Sequence, residues 1–499
     1  MTTETNFSII RFDKPETDID VVSEYQVGAT KIIITKDGRY FAIPPEISKK
    51  AETIFKKLME NIFESLPPQA DNREKIEVAS RHLEEEARQT ADIDVWQKEK
   101  NTIEYYLTRD LIGFQIIDVL MNDPYIEDII CTGKGKAIGI IHKKFSDHVM
   151  LKTNIVFATS QQLDDFIMIV SRRLKKPPTT SSPIVYSSTS THDRITIIWK
   201  DKVSPLGSSF AIRKFPAEPY TITHLIESGV ISLDVAAYLW MLIDATPFLL
   251  IIGETGAGKT TVINALMCLS NPRMHVIVLE DTRELMIPHY WVEYNTTFED
   301  QHARQKNNHD ITYMDLIRSA LRRKPHFMVV GEVRGEEARE MFQGATTGHG
   351  TLSSFHASGP SEAIARLRSD PINVTDNQMM NLWGILHLSK IKTFHGNNAR
   401  RMMSYSEIFI KEERLQIQKV FDYNSADDTF TPSKFEDIIN LSKNKNRIIR
   451  RLGIQNIAAE FLKRKALLKK CIEQKAYTIK QVQKIISKGY SVSSPDDYF

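Results

Sequence analysis

The sequence predicts a mixed α/β protein whose centre is an open parallel sheet with helices on its faces. The first observation is an apolar run, residues 248–252, that leads into a glycine-rich loop and then into a segment with a helical pattern. The second is that three more strand-like runs, residues 275–279, 327–330 and 351–355, each end at polar side chains. Short runs of this kind are typical of the buried strands of a parallel sheet.

The glycine-rich loop matches the pattern G-x-x-x-x-G-K-[ST], which binds the phosphates of a nucleotide. A buried strand before the loop and a helix after it direct backbone N–H groups and the positive end of the helix dipole toward an anion. Lys259 is expected to reach the β- and γ-phosphate oxygens of a triphosphate, and the Thr260 hydroxyl to ligate Mg²⁺. An ordinary glycine-rich turn is the alternative, and the flanking strand and helix count against it. The residues that we predict to bind the nucleotide are Gly253, Glu254, Thr255, Gly256, Ala257, Gly258, Lys259, Thr260 and Thr261.

Composition narrows the classes of protein that fit the chain. Its 499 residues exceed what one hydrophobic core can organise, which predicts about three domains. The net charge of +2 gives no support for a nucleic-acid partner. The cysteines, Cys131, Cys268 and Cys471, lack metal-ligand spacing, so we expect reduced thiols, a cytoplasmic location and no stable zinc site. No signal peptide and no membrane span are predicted, so any membrane attachment is expected to come through a partner.

Turns, prolines and charges divide the chain into successive segments. They are an N-terminal head of a hairpin and helices at 1–100, a smaller α/β N-domain at 101–215, a linker at 216–224, the α/β core at 225–431 and a helical C-terminal bundle at 432–499. A linker just before a phosphate loop suggests that the nucleotide binds at a domain boundary. The bundle is basic, which leaves two interpretations open: a solvated helix face, or a surface that binds an acidic partner or lipid headgroups.

The first two segments predict particular elements. A turn at residues 36–38 separates two strand-like stretches, which predicts a hairpin over 31–43. Helices are expected at 47–66 and from Asn72 onward. The elements expected in the N-domain are helices at 111–120 and 160–174, strands at 137–142 and 194–199, and a long loop at 177–190.

Polar side chains follow the strand-like runs of the core. Glu280, Glu332 and His356 come just after successive runs, and the carboxyl ends of parallel strands meet at one edge of a sheet. We therefore expect these side chains to lie together around the triphosphate. Glu280 is predicted to orient the attacking water, and Glu332 to order Mg²⁺ through its water shell. For Glu280, a role in capping or in pairing with an arginine stays open.

Arginines and histidines complete the predicted site. Arg283 and Arg334 are expected to stabilise phosphate charge, and Arg318 and Arg322 also lie in this region, so that some of the four can reach a neighbouring subunit. His349 and His356 are expected to sense the γ-phosphate through hydrogen bonds. Two alternatives remain for these histidines, a metal pair that lacks a nearby third ligand and ordinary core histidines.

Taken together, these motifs resemble the type II/type IV secretion-system ATPases, a family that powers pili, archaella, and secretion or conjugation machines. The resemblance covers residues 105–391 and includes the family's motifs in their usual order. They are the Walker A motif at 253–261, the Asp box at 279–285, an atypical Walker B motif at 330–335 and the His box at 347–357. The resemblance implies a RecA-like P-loop ATPase core preceded by a smaller α/β (PAS-like) N-domain, with ATP and Mg²⁺ as cofactors.

The resemblance also implies that arginines of the N-domain reach the nucleotide from the other domain. Residues 207–215 are similar to the family's segment, so Arg213 is expected to bind the phosphates together with Arg194. His192 and Asp193 stand where the family usually has Asp-Gly, which makes the match at Arg194 weaker than the match at Arg213.

The lack of a four-cysteine motif, the segment at 105–111 and the helical tail are most similar to the archaeal branch of this family, which includes pilus-assembly and archaellum motors. That branch implies a homo-hexamer docked on a polytopic membrane platform protein at the inner face of the cell membrane. We therefore expect a hexameric Mg-ATP-hydrolysing motor that powers assembly of a type IV pilus-like filament or secretion machine. The alternatives that stay open are an archaellum motor, a DNA-translocating or conjugation-type RecA-like ATPase, a small-molecule kinase and a scaffold without turnover.

Overall fold

The computed structural model divides the chain into two compact units, Met1–Pro216 and Ala217–Phe499. Each unit is built around a nine-stranded sheet, so the predicted mixed α/β fold class is confirmed. The residues that the structure describes are 20–53, 55–56, 59, 72–89, 93–145, 148–216, 218–297, 310–345, 348–393, 396, 398–412 and 414–490. Among these residues, no helix is both long enough and apolar enough to cross a lipid bilayer.

The first unit contains a mostly antiparallel sheet. Its strands are β1 (Val21–Val27), β2 (Thr30–Thr35), β3 (Arg39–Ile43), β4 (Ile126–Cys131), β5 (Ala137–His142), β6 (Leu151–Val156), β7 (Ile184–Ser188), β8 (Arg194–Ile198) and β9 (Ser209–Arg213). Their order across the sheet is β1-β2-β3-β6-β5-β4-β9-β8-β7. The helices with defined bounds are α1 (Asn72–Gln89), α2 (Ile93–Leu111), α3 (Asp118–Asn122) and α4 (Ser160–Arg173), with a 3₁₀ turn at Gln115–Ile117.

The predicted N-terminal hairpin is confirmed, but it belongs to a larger sheet. β2 and β3 pair antiparallel, with Lys31 opposite Ile43. β3 also pairs in parallel with β6, with Arg39 opposite Lys152. The hairpin therefore extends the sheet of the N-domain, and the boundary expected at residue 100 does not separate two sheets.

Two expectations for the N-domain are corrected by the structure. Residues 111–120 are not one helix, because α2 ends at Leu111 and a 3₁₀ turn and α3 follow it. The expected loop at 177–190 contains β7, which pairs antiparallel with β8. The prolines and serines around β7 concealed a short strand that only this pairing stabilises. Of the helix expected at 47–66, residues 49–53, 55–56 and 59 are helical, and residues 54, 57–58 and 60–66 lie outside the described residues.

The second unit begins with two helices and then alternates strands and helices. Its strands are β10 (Phe248–Gly253), β11 (Val276–Glu280), β12 (Val292–Thr296), β13 (Phe327–Val333), β14 (Gly350–Phe355), β15 (Gly384–Lys392), β16 (Asn398–Lys411), β17 (Arg414–Asn424) and β18 (Thr429–Thr431). The helices described in this unit are α5 (Ile222–Glu227), α6 (Leu233–Asp244), α7 (Lys259–Met267), α8 (Tyr313–Arg322), α9 (Glu337–Ala345), α10 (Pro360–Arg368), α11 (Asp376–Met379), α12 (Phe435–Leu441), α13 (Lys445–Leu452), α14 (Ile457–Glu473) and α15 (Ile479–Ile486).

The parallel part of the second sheet has the order β12-β11-β13-β14-β10-β15. Every residue of β10, β11 and β14 is buried, as expected for parallel strands that are covered by helices on both faces. β16, β17 and β18 continue the sheet in antiparallel pairing. This architecture agrees with the expected RecA-like core, and it puts β10 and its loop at the centre of the parallel part.

The C-terminal helices share the hydrophobic core of the second unit. The buried side chains of Ile438, Ile448 and Phe461 belong to the same apolar cluster as β10. Two basic residues of the C-terminal bundle form ion pairs within the unit. Arg464 pairs with the buried Asp244 at 2.8 Å, and Lys465 pairs with Asp234 at 2.5 Å. These two basic residues therefore help to attach α14 to α6, the helix before the phosphate loop.

Candidate nucleotide-binding site

The phosphate loop connects the end of β10 to the start of α7. Its three glycines, Gly253, Gly256 and Gly258, have φ angles of +153°, +74° and +96°, which other residues rarely adopt. A Cβ atom on Gly253 would collide with the carbonyl oxygen of Leu388, and one on Gly256 would lie 2.7 Å from Lys390 Nζ. The backbone conformation favours glycine at all three positions, and at Gly253 the neighbouring backbone also leaves no room for a side chain, so the turn fits a phosphate cradle.

Lys259 is the first residue of α7 and lies beside the loop. Its ammonium group is largely buried and donates to the carbonyl oxygens of Gly253 and Glu254, both at 3.0 Å. His356 Nδ1 lies 3.4 Å from the same nitrogen. Burial lowers the pKa of Lys259, and the negative charge of Glu332 opposes this effect. Phosphate oxygens would offer the ammonium group stronger acceptors than neutral carbonyl groups do.

Glu332 lies at the centre of an ionic cluster beside the loop. Its carboxylate accepts hydrogen bonds from Arg334 at 2.6 and 2.9 Å and lies 3.0 Å from His356 Nε2. Partial burial alone would raise the pKa of Glu332, but the hydrogen bonds and charge of Arg334 lower it below the usual value. The structure therefore brings Glu332, Arg334, His356 and Lys259 together, as the sequence predicts.

Glu280 has a role that the prediction left as an alternative. Its side chain is buried, and Oε1 accepts from the backbone N–H groups of Glu284 and Leu285 at 2.9 and 3.0 Å. This oxygen is committed to holding the Asp-box loop after β11. One oxygen of Glu280 therefore positions that loop, and the predicted role of this residue in orienting the attacking water stays a prediction.

The loop that Glu280 holds carries an acidic residue to the phosphate loop. Thr260 Oγ1 donates to Glu284 Oε2 at 3.2 Å, and Glu332 lies in the adjacent cluster. Hydroxyl and carboxylate oxygens of this kind suit Mg²⁺, which binds few protein groups and keeps several waters. Among the described residues, no group of three or more His, Cys, Asp or Glu side chains is placed to hold a metal ion.

The remaining arginines of the core take different positions. Arg283 stacks on the ring of Tyr294, with its guanidinium carbon 4.0 Å from the ring centroid. Arg318 forms an ion pair with Glu340 at 2.9 Å, and Arg322 is exposed on α8. Arg334 thus has the direct contact with Glu332, whereas Arg318 and Arg322 remain candidates for contacts outside the chain.

His349 and His356 lie at opposite edges of the sheet. His349 directly precedes β14 and His356 directly follows it, and a strand of 6 residues spans roughly 20 Å. The structure does not bring His349 to the phosphate loop of its own chain. Instead, His349 lines a cavity with Trp383 and Arg451. The two histidines therefore cannot act as one sensor within the chain, although their spacing in the His box suggested it.

Arg194 and Arg213 belong to the first unit. They are direct cross-strand neighbours on β8 and β9. Arg213 is mostly exposed, and its Nε donates to Asp128 at 2.9 Å. Their predicted contact with nucleotide phosphates stays a prediction.

The sequence did not identify two basic residues that touch the phosphate loop. Arg400 Nε donates to the carbonyl oxygen of Gly256 at 3.0 Å, and Lys390 Nζ lies over the same glycine. The two are paired across β15 and β16. Basic residues near positions 390 and 400 are visible in the sequence, but only the register of this hairpin directs both of them to the loop.

We expect Arg400→Gln to raise the Kd for ATP about 5-fold, because the loss of one charge-assisted hydrogen bond to the loop costs about 1 kcal/mol. The measurement is a titration with a fluorescent ATP analogue. Lys411→Gln, an exposed charge change on the same strand, is the matched control and should leave the Kd unchanged. Equal affinities of all three proteins would show that Arg400 does not support the loop.

Comparison with known proteins identifies relatives of this site. Residues 200–404 match the model of the family described as type II/IV secretion system protein. The uncharacterized protein MJ0900 of Methanocaldococcus jannaschii is 38% identical over 318 residues, which are 63% of this chain and 56% of that protein. The uncharacterized protein MJ1287 of the same organism is 37% identical over 212 residues, which are 42% of this chain and 77% of that protein. The chain thus spans only about half the length of MJ0900 but most of MJ1287.

A solved structure matches the chain at lower similarity. The ATPase DotB of Legionella pneumophila is 15% identical, with 78% of this chain and 95% of that chain covered and a TM-score of 0.41. The family model covers the phosphate loop, the Asp box and the cluster around Glu332, which are the parts of the chain that the geometry joins into one site. The chain belongs to the type II/IV secretion system protein family.

Proposed function

We propose that the protein is a Mg-ATP-hydrolysing motor. The observation that carries this proposal is the cluster of Lys259, Glu332, Arg334 and His356 beside a phosphate loop with a glycine-dependent cradle. Phosphoryl transfer to water needs positioning and charge stabilisation more than covalent chemistry, and this cluster offers both.

The proposed roles follow the contacts. Lys259 exchanges its carbonyl acceptors for the β- and γ-phosphate oxygens of ATP. Thr260, Glu284 and Glu332 face the position for Mg²⁺, which when bound neutralises charge on the phosphates. Glu332 is also proposed to help to orient the attacking water, together with Glu280, one oxygen of which holds the Asp-box loop. His356 lies between Lys259 and Glu332 and keeps their distance fixed.

The larger machine is also a proposal, and the family description supports it. We infer a homo-hexameric ring that acts in the cytoplasm at the inner face of the membrane through a polytopic platform protein. Closure of the first unit on the core would convert ATP binding into movement, with nucleotide as the ligand that distinguishes open from closed states. A pilus-like filament or secretion machine is the proposed load, and an archaellum is the alternative within the same family.

The proposed function is tested by measuring ATP hydrolysis and the oligomeric state of the protein. Purified protein is assayed for phosphate release from Mg-ATP, and its mass is measured by light scattering with and without nucleotide. Free phosphate and nucleotide-dependent hexamers are expected. A phosphorylated metabolite in place of free phosphate would support a kinase, and tight, salt-dependent binding of single-stranded DNA would support a DNA-translocating ATPase.

We expect Arg213→Ala to lower kcat for ATP at least about 10-fold, because an arginine at the γ-phosphate stabilises charge in the transition state. Steady-state phosphate release measures this effect. Lys202→Ala, an exposed basic change in the same unit, should keep wild-type turnover. Unchanged turnover in Arg213→Ala would exclude the proposed contribution of the first unit to the reaction.

A further inference from the structure

A cavity of about 410 Å³ opens at the edge of the second sheet opposite the phosphate loop. Its lining includes Phe248 at the amino end of β10, His349 just before β14 and Trp383 just before β15. Because these are the amino ends of parallel strands, the cavity is separated from the nucleotide site by the length of the strands. It is therefore a distinct site, and the proposed function does not depend on it.

Three arginines of α13 form one wall of this cavity. Arg447, Arg450 and Arg451 are spaced three and four residues apart, so they share one face of the helix. Arg447 lies over the ring of Trp383, with its guanidinium carbon 5.3 Å from the centroid. Arg447 and Arg450 donate hydrogen bonds to neutral oxygens, such as the bond from Arg450 Nε to the carbonyl oxygen of Asn446 at 3.2 Å.

The positive charge of this wall has little compensation. Among the described residues, none of the three arginines forms an ion pair with a carboxylate. Burial lowers the pKa of Arg447, and the charge of Arg450 lowers it further, while Glu407 opposes both effects. Glu407 is fully buried, and its oxygens accept from Tyr238 at 2.5 Å and from the Asn444 backbone at 2.9 Å. This carboxylate is thus engaged by groups of the core.

None of the described residues that line the cavity is acidic. Burial lowers the pKa of His349, and the nearby His326 and Lys324 lower it further. Lys324 and His326 are both exposed on the segment before β13. The three arginines, with Lys324 nearby, therefore produce a concave region of positive potential, which attracts anions.

We propose that this cavity binds a phosphate group, carried either by a soluble phosphate ester or by a lipid headgroup. Guanidinium groups present paired donors that match the oxygens of a phosphate. The cavity is larger than a bare phosphate needs, and its volume falls in the usual range for small-ligand sites. Phe248 and Trp383 provide an apolar wall for the remainder of the ligand.

The first arm of the test uses radiolabelled pyrophosphate in equilibrium dialysis. Wild type is expected to bind pyrophosphate at two sites, the phosphate loop and the cavity. The double variant Arg450→Gln/Arg451→Gln should lose the cavity site, with at least about 10-fold weaker affinity there. Lys259→Ala should lose the loop site alone, which separates a failure of the proposed function from a failure of the cavity.

The second arm uses flotation with vesicles of phosphatidylcholine, with or without phosphatidylglycerol. Arginine-dependent binding to the anionic vesicles alone would assign the phosphate to a lipid, and arginine-dependent pyrophosphate binding would assign it to a soluble ligand. Lys463→Gln/Lys469→Gln, with the same charge change on the exposed face of α14, is the matched control. Thermal unfolding confirms that each variant is folded. The proposal is overturned if the double arginine variant equals wild type with both probes.

Discussion

Glu332→Gln is expected to reduce ATP turnover at least about 100-fold while ATP binding is retained, a loss of about 3 kcal/mol of transition-state stabilisation. The carboxylate accepts two hydrogen bonds from Arg334 and lies 3.0 Å from His356. An amide keeps the size of the side chain but removes its charge, so it neither attracts the cation nor orients water as strongly. Retained binding is expected because Lys259 and the backbone of the loop contact the phosphates directly.

Phosphate release and ATP-analogue titration together measure this prediction. The control is Glu336→Gln, an exposed acidic residue close to Glu332 in the sequence, which should keep wild-type turnover. If Glu332→Gln hydrolyses ATP at the wild-type rate, the cluster does not perform the hydrolytic step. If it loses binding as well, the carboxylate acts mainly in forming the site.

Arg464→Ala is expected to lower the free energy of unfolding of the second unit by about 3–5 kcal/mol at pH 8, because it leaves a buried carboxylate without its charge partner. Arg464 pairs with Asp244 at 2.8 Å and also contacts Glu460. Tyr490 donates a hydrogen bond to the same aspartate. This network joins α14 and the segment after α15 to α6, so its loss weakens the attachment of the C-terminal helices.

The decrease in the free energy of unfolding caused by Arg464→Ala should depend on pH. Burial raises the pKa of Asp244 to about 6, even though Arg464 lowers it. Without the arginine, the aspartate binds its proton more tightly in the folded state. The folded variant therefore gains relative stability as pH falls, and the difference from wild type should be smaller at pH 5 than at pH 8.

Urea unfolding at both pH values measures this difference. Lys463→Ala, an exposed change next to Arg464 on the same helix, should alter stability by no more than about 0.5 kcal/mol. If Arg464→Ala lowers the free energy of unfolding equally at pH 5 and pH 8, this result would contradict the expected protonation of Asp244. A loss below 1 kcal/mol at pH 8 would show that the pair does not hold the helices.

Much of the core could be predicted because its signals are local. A continuous apolar run, a glycine turn and a helix define β10, the loop and α7 within a short stretch of chain. Glu332 lies near the carboxyl end of β13 and His356 directly follows β14, and the parallel arrangement of these strands brings their ends together. The elements of the N-domain are harder to predict from the sequence. β7, for example, is a strand because it pairs with β8, and the residues of β7 alone do not indicate this pairing.

The sequence by itself was sufficient to predict the phosphate loop, the buried strands and the acidic and histidine side chains that follow these strands. Apolar runs and glycine turns are patterns of residues that are adjacent in the chain, so they can be recognised without the tertiary structure. Only the tertiary structure decided that Glu280 holds the Asp-box loop and that Arg400 reaches Gly256. It also decided that His349 lies at the opposite edge of the sheet, in a cavity with the arginines of α13. The contacts of Arg400 and of His349 join segments that are distant in the chain, and they depend on strand register and helix packing, which no local pattern encodes.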